Sequence, residues 1–338
     1  MKIERNVSLK KLNTFKVDVH ANTLCTLEAD KDFSIEKLDK YLNNFVVLGG
    51  GSNILFSKDY DGTILLIKNK GIEIAKEDET YIWIDVASGE QWDSFVNWSI
   101  DRNLIGLHNL ALIPGTVGAT PIQNVGAYGI EVGDLITKVT LLDISTRKEL
   151  VLKNNECDFG YRDSIFKRDL KNKVIVKRVL FKLEKFKNHI DKKYLQYSGI
   201  VEKLKGKEIT PKSIQKAVID IRNEKLPSIQ EYGSCGSTFK NPEISITKYD
   251  KISKIFPNLP KYDTNRKNIV KIPAAYILEQ LGWKNKRVGD VGTWVKHPLI
   301  VTNYGQATPS EILNFLKEIQ RSFEESTGVS LECEINII

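Results

Sequence analysis

The sequence predicts an α+β fold of two or three domains, and three observations carry that expectation. The chain has 338 residues, 41% of them hydrophobic, which is too long for one ordinary core and apolar enough to fill several. Segments with the two-residue period of strands are interspersed with segments of helical period, and no internal repeat joins them. Two regions crowded with glycine and other small residues interrupt the pattern, at 49–53 and 113–129.

Composition excludes several classes of function. The 50 basic and 43 acidic side chains leave a net charge of +7. The excess is spread over Lys-rich stretches such as 167–187, so it favours anionic small molecules, and with no recognition motif nucleic acid is not expected as a partner. Cys25, Cys157, Cys235 and Cys333 share no metal-type spacing and read as free thiols. His20, His108, His189 and His297 are scattered, with no cage of carboxylates, so no protein-bound metal is expected; His108, between Leu107 and Leu110, reads as structural. The N-terminus Met1-Lys2-Ile3-Glu4-Arg5 carries no signal-length apolar run, and no stretch of about 18 apolar residues occurs. The expectation is a soluble, cytoplasmic protein without membrane insertion.

Phe45 to Leu48 forms an apolar run that leads into Gly49, Gly50, Gly51, Ser52 and Asn53, followed by Ile54, Leu55 and Phe56. This is strand, glycine turn, strand. The glycines can take positive φ and leave N–H groups uncovered, a cradle suited to a pyrophosphate, with Ser52 and Asn53 adding donors. Taken alone, the run is equally compatible with a plain hairpin turn. It is not the dinucleotide fingerprint, because Ile54 stands where G-x-G-x-x-G needs its last glycine. Tyr81 to Val86 alternates as a strand, and Trp92, Phe95, Val96 and Ile100 recur at helical spacing up to Asn103.

The second small-residue region contains Gly115, Thr116, Gly118, Ala119, Asn124, Gly126, Ala127, Tyr128 and Gly129. Such density lets a flat ligand lie against backbone, so the two regions together imply one extended cofactor. Strands are expected around Val139 to Leu142 and Val174 to Leu183, bracketing Tyr161-Arg162-Asp163-Ser164. Thr210-Pro211 opens a helix with Ile214, Ala217, Val218 and Ile221 on its apolar face, and Arg222 and Lys225 near its end. Thr308-Pro309-Ser310-Glu311 is a capping box for a helix that buries Ile312, Leu313, Leu316, Ile319 and Phe323 and stops at Gly328. A last strand places Leu331, Cys333, Ile335 and Ile337 on one face and Glu332, Glu334 and Asn336 on the other.

Seven motifs, in order, resemble the UDP-N-acetylenolpyruvoylglucosamine reductase family. They are Asn13-Thr14-Phe15-Lys16, residues 49–53, residues 113–129, Tyr161-Arg162-Asp163-Ser164, Lys225-Leu226-Pro227, Gly236-Ser237 through Pro242, and Glu332-Cys333-Glu334. The resemblance implies an FAD fold of the vanillyl-alcohol-oxidase type: two FAD-binding subdomains, at 1–70 and 71–209, and a substrate-binding α+β domain at 210–325. Residues 326–338 are then expected to return to the second subdomain. It also implies noncovalent FAD, NADPH as co-substrate, and reduction of UDP-N-acetylglucosamine enolpyruvate to UDP-N-acetylmuramate for peptidoglycan, by an enzyme expected to be monomeric. Another FAD-dependent oxidase or dehydrogenase of the same fold is the alternative, but it has no need of the whole motif set.

By the same resemblance, Ser237 is the proton donor, while Arg162 and Glu334 polarise the substrate carboxylate. Tyr197 resembles the lid tyrosine of the family's first type, with Tyr194 as its rival. Lys225, Asn241 and Gln280 match positions that contact the diphosphate or sugar, although a solvated lysine is an equal alternative for Lys225. Cys235 and Cys333 depart from the alanine and proline common in the family.

Overall fold

A computed structural model describes residues 1–264 and 266–338. The chain falls into two compact units: one comprises Met1–Val7, Ala21–Gly51 and Tyr60–Glu224, the other Ser8–His20, Ser52–Asp59 and Lys225–Ile338.

The first unit holds two large sheets. In one, His20–Leu27 and Phe45–Leu48 flank Tyr60–Ile67 in parallel, with Lys2–Ser8 beyond His20–Leu27. Its apolar side packs Cys25, Leu27, Phe33, Leu38, Leu65 and Ile67 into a small core. In the other, Val174–Lys185 runs through the middle, antiparallel to Ile136–Asp143 on one side and Tyr81–Ala87 on the other. Trp92–Ile100 lays Trp92, Phe95, Val96 and Ile100 against it, as the helical spacing predicts, and the Trp92 indole donates to Leu110 O at 2.9 Å. Each of these two sheets packs a core of its own.

The second unit pairs Gly233–Ser237 with His297–Asn303, followed by Val291–Trp294 and Arg287–Val288, all antiparallel. Pro309–Thr327 begins with the expected capping box: Glu311 N donates to Thr308 Oγ1 (3.3 Å) and Thr308 N to Glu311 Oε2 (2.7 Å). Gly328, at φ 59°, ends it. Phe315 joins its buried face, while Leu313 is only half-buried.

Three expectations change. The helix Pro211–Lys225 lies almost wholly in the first unit, because Ile214, Ala217, Val218 and Ile221 insert into the core around Trp92; the division therefore falls after Glu224, not near 209. The glycine turn at 49–53 is not a hairpin, since Phe45–Leu48 pairs with Tyr60–Ile67 whereas Ile54–Leu55 pairs with Asn336–Ile337. That second pairing also corrects the course of the C-terminal segment, which joins the second unit instead of returning to 71–209. Its backbone groups find partners at Asn53 and Leu55, so Ile337 is left 45% exposed against the predicted alternation.

Candidate active site

The serine strand is built around a bulge. Ser234 pairs with Thr302 and Ser237 with Ile300, so one extra residue is accommodated, with Gly236 at φ 73°. Residues two apart on a regular strand share a face, yet Cys235 is buried and Ser237 is exposed; the inserted residue turns Ser237 outward. Ser234 braces the bulge by accepting from Gly236 N at 3.2 Å and donating to Val301 O at 3.3 Å.

Behind the strand lies the motif Asn13-Thr14-Phe15-Lys16. Asn13 folds this loop by donating to Leu9 O and Val17 O and accepting from Val17 N. Ser234 N donates to Thr14 O (2.8 Å), and Lys16 Nζ to Gln230 O (2.7 Å). A Cβ at Gly233 would lie 2.2 Å from Phe15 O, so only glycine permits this approach. Cys235 Sγ lies 3.4 Å from Thr14 Oγ1, and burial pushes its thiol up to about 12, leaving it protonated and unreactive at neutral pH.

The C-terminal segment runs antiparallel beside the serine strand. Cys333 bridges Phe239, Lys240 N donates to Glu332 O (2.9 Å) and Glu334 N to Thr238 O (2.8 Å). Asn336 N continues to Asn53 O at 3.0 Å, and Asn53 Nδ2 reaches Glu334 O at 3.4 Å. Ser237, Glu334 and Asn53, far apart in sequence, are thus brought onto neighbouring backbone.

Asn241 accepts from Ala274 N at 3.1 Å, which fixes its amide at the start of Ala274–Gln280, and Gln280 is exposed at the other end of that helix. Lys225 is exposed. His297 is held below the usual histidine range, first by burial and then by the charge of Lys225.

In the first unit the two small-residue regions abut. A Cβ at Gly50 would lie 2.7 Å from Gly115 Cα, and one at Gly49 would lie 2.3 Å from Thr116 Oγ1. Backbone meets backbone here, and Gly115, Gly118, Ala119, Gly126, Ala127 and Gly129 stay at least partly accessible. A flat, polyphosphorylated group such as FAD fits a donor surface of this kind. Neither region contains a histidine or cysteine to tether it. Thr116 and Asn124 stand behind the surface: Asn124 is buried, its Nδ2 donating to Glu131 Oε2 (2.7 Å) and Gly160 O (3.0 Å) and its Oδ1 accepting from Gly133 N (2.8 Å).

Arg162 sits in a tight turn closed by Gly160 and Asp163, at φ 51°, a left-handed conformation rarely adopted by a long side chain. Its guanidinium donates to Gly126 O at 2.7 Å and so lies against the small-residue loop. Ser164 holds the turn by donating to Ile122 O at 2.6 Å.

The two candidate tyrosines separate by burial. Tyr194 is buried, its ring 4.6 Å from that of His108, whereas Tyr197 is half-buried and meets Tyr128 edge-on at 4.9 Å. His108 accepts from Gly106 N through Nδ1, and burial pushes it down to about 3, so it is a neutral core residue as expected. Next to it, wholly buried Asn109 donates to Tyr128 O (3.2 Å) and Tyr194 O (3.0 Å), while its buried Oδ1 accepts no hydrogen bond among the described residues.

Over 339 aligned residues, covering 100% of both chains, the protein is 41% identical to the UDP-N-acetylenolpyruvoylglucosamine reductase of Flavobacterium johnsoniae. The chain belongs to the UDP-N-acetylenolpyruvoylglucosamine reductase family. The reductase of Bacteroides fragilis is 37% identical, over 99% of this chain and 100% of its own. Residues 228–338 match the family's C-terminal domain, and residues 34–147 match an FAD binding domain. The fold resembles that of UDP-N-acetylenolpyruvylglucosamine reductase from Thermus caldophilus, with a TM-score of 0.66 at 24% identity, over 100% of this chain and 99% of that one. Among the described residues no helix is long and apolar enough to cross a membrane, and no cluster of histidine, cysteine or carboxylate suits a metal. Ser234 and Asn109 hydrogen-bond to backbone distant in the chain, and no local signal in the sequence marks either of them.

Proposed function

We propose that this protein is an FAD-dependent reductase that uses NADPH to convert UDP-N-acetylglucosamine enolpyruvate to UDP-N-acetylmuramate, a step in making peptidoglycan precursors. The full-length match at 41% identity carries this reading, and the abutting glycine regions give it a physical basis. Residues 49–53 and the small residues of 115–129 would hold FAD noncovalently, and the bound flavin would supply the hydride chemistry between NADPH and the enolpyruvyl double bond. The protein has three remaining tasks: to place the double bond, to stabilise the charge that develops beside the carboxylate, and to deliver one proton.

Ser237 delivers the proton. A serine hydroxyl is a weak acid, but a strongly basic carbon acceptor in a dry site makes the transfer feasible, and the bulge presents this hydroxyl outward. Arg162 and Glu334 polarise the substrate carboxylate, where charge accumulates during reduction. Lys225, Asn241 and Gln280 bind the diphosphate and sugar. Tyr197 closes on the sugar nucleotide as in the family's first type, a role supported by its accessibility where Tyr194 is buried. In the same reading the enzyme is a monomer, and it is cytoplasmic, since NADPH and a nucleotide-activated sugar are both consumed.

Spectroscopy tests the function directly. Protein reconstituted with FAD should be yellow, lose its visible absorbance with NADPH under anaerobic conditions, and recover it when UDP-N-acetylglucosamine enolpyruvate is added. Denaturation should release all the flavin. Recovery with oxygen alone and none with the enolpyruvyl sugar would point to the oxidase alternative.

A further inference from the structure

We propose that Asn109 is a positioning residue for the sugar nucleotide, tying the base of the Tyr197 segment to the small-residue loop through two backbone carbonyls. This inference rests on Tyr197 acting on the substrate as proposed above. Asn109 lies in the short helix His108–Leu110 and is fully buried. Its Nδ2 donates to Tyr128 O at 3.2 Å and to Tyr194 O at 3.0 Å, joining segments that are separated by more than sixty residues of chain. Neither segment is held in a long ladder: Tyr128 has φ 52° in the turn between Gly126–Ala127 and Ile130–Glu131, and Tyr194 belongs to the short helix Lys192–Leu195.

The tie bears on Tyr197 because Tyr197 follows Tyr194 by three residues and its ring meets that of Tyr128 at 4.9 Å. Asn109 therefore holds the backbone on both sides of the ring contact between Tyr128 and Tyr197. That Oδ1 accepts no hydrogen bond among the described residues supports this assignment. An aliphatic side chain would leave no orphaned oxygen, so the amide is kept at a cost, and what it provides is the pair of donations. A merely structural role would disturb cofactor binding and substrate binding alike, whereas a positioning role acts through Tyr197.

The test uses FAD-loaded protein carrying Asn109→Ala, Tyr197→Ala or both, with affinity for UDP-N-acetylglucosamine enolpyruvate read by titration of the oxidised flavin spectrum. Asn109→Ala should weaken binding about tenfold, as loss of one to two net hydrogen bonds does. FAD retention and the rate of flavin reduction by NADPH should stay within about twofold, and adding Asn109→Ala to Tyr197→Ala should change affinity by less than about twofold. A tenfold loss in both backgrounds, or a parallel loss of FAD, overturns the proposal. If Tyr197→Ala alone leaves affinity unchanged, Tyr197 has no substrate role, and the positioning role falls with it. Should Asn109→Ala fail to fold, Asn109→Ser, which keeps one donor, gives the same comparison with a smaller effect.

Discussion

The proton-donor role proposed for Ser237 is favoured by what its neighbours are prevented from doing. Cys235 has its thiol pushed up to about 12 by burial, so it does not compete as an acid or nucleophile near neutrality. Ser234 spends its hydroxyl on the bulge, and Thr238 accepts from Val301 N at 3.2 Å, which leaves Ser237 as the outward hydroxyl of this strand. Ser237→Ala should therefore leave flavin reduction by NADPH intact and slow reoxidation by the enolpyruvyl sugar by about 10² to 10⁴, the usual contribution of a general acid. Stopped-flow absorbance separates the two steps, and unchanged reoxidation would remove Ser237 from the chemistry. The residue type and its glycine neighbour were legible in the sequence. Its outward direction was not, since simple alternation assigns Ser237 to the buried face of Cys235 and only the register against Ile300 shows the inserted residue.

Among the elements, the strand Gly233–Ser237 depends most on backbone geometry. Gly236 takes φ 73°, and no heavy atom lies within 4 Å of the place a Cβ would occupy, so a side chain there meets conformational strain and no clash. Gly236→Ala should cost about 1–2 kcal/mol, the penalty of a left-handed conformation for an L-residue. If the strand relaxes by losing the bulge, Ser237 turns inward, and reoxidation by the sugar nucleotide should slow while NADPH reduction does not. Thermal unfolding together with the two half-reactions checks both parts; full activity with unchanged stability would mean that the bulge does not depend on this glycine. Helices were the most legible elements. Trp92–Ile100 and Pro309–Thr327 follow their apolar spacing and caps because both signals act within a few turns of one segment. The short strands of the second unit, such as Arg287–Val288 and Tyr262–Asp263, have two residues each and no period to read.

For the whole molecule, buried histidine makes stability depend on pH. His108 is pushed from its ordinary 6.5 down to about 3, so the unfolded chain gains a proton between those values and the folded chain does not. Stability is fully retained above 6.5 and falls as pH drops towards 3, with a slope of at most about 1.4 kcal/mol per unit. His297, also lowered by burial, adds to the same slope. His108→Asn keeps an acceptor for Gly106 N but does not titrate. Its unfolding free energy should vary less between pH 7 and about 5, a window above the ordinary carboxylate range. An identical slope in the variant, measured by denaturant unfolding, would show that His108 is not the group responsible.

The sequence by itself determined the α+β class, the FAD-binding domain and the family, because each is written in local spacing or in short motifs that keep their order along the chain. Tertiary structure alone decided that residues 8–20 and 52–59 group with the C-terminal part, and that Asn336–Ile337 pairs with Ile54–Leu55. It also decided that Tyr194 is core while Tyr197 is accessible. Both tyrosines sit in the same polar stretch, and what separates them is the ring of His108, a residue distant in sequence. Hydrogen-bond partners for a strand edge, and neighbours for a ring, are supplied by whichever segment packs there, and no local period records that choice.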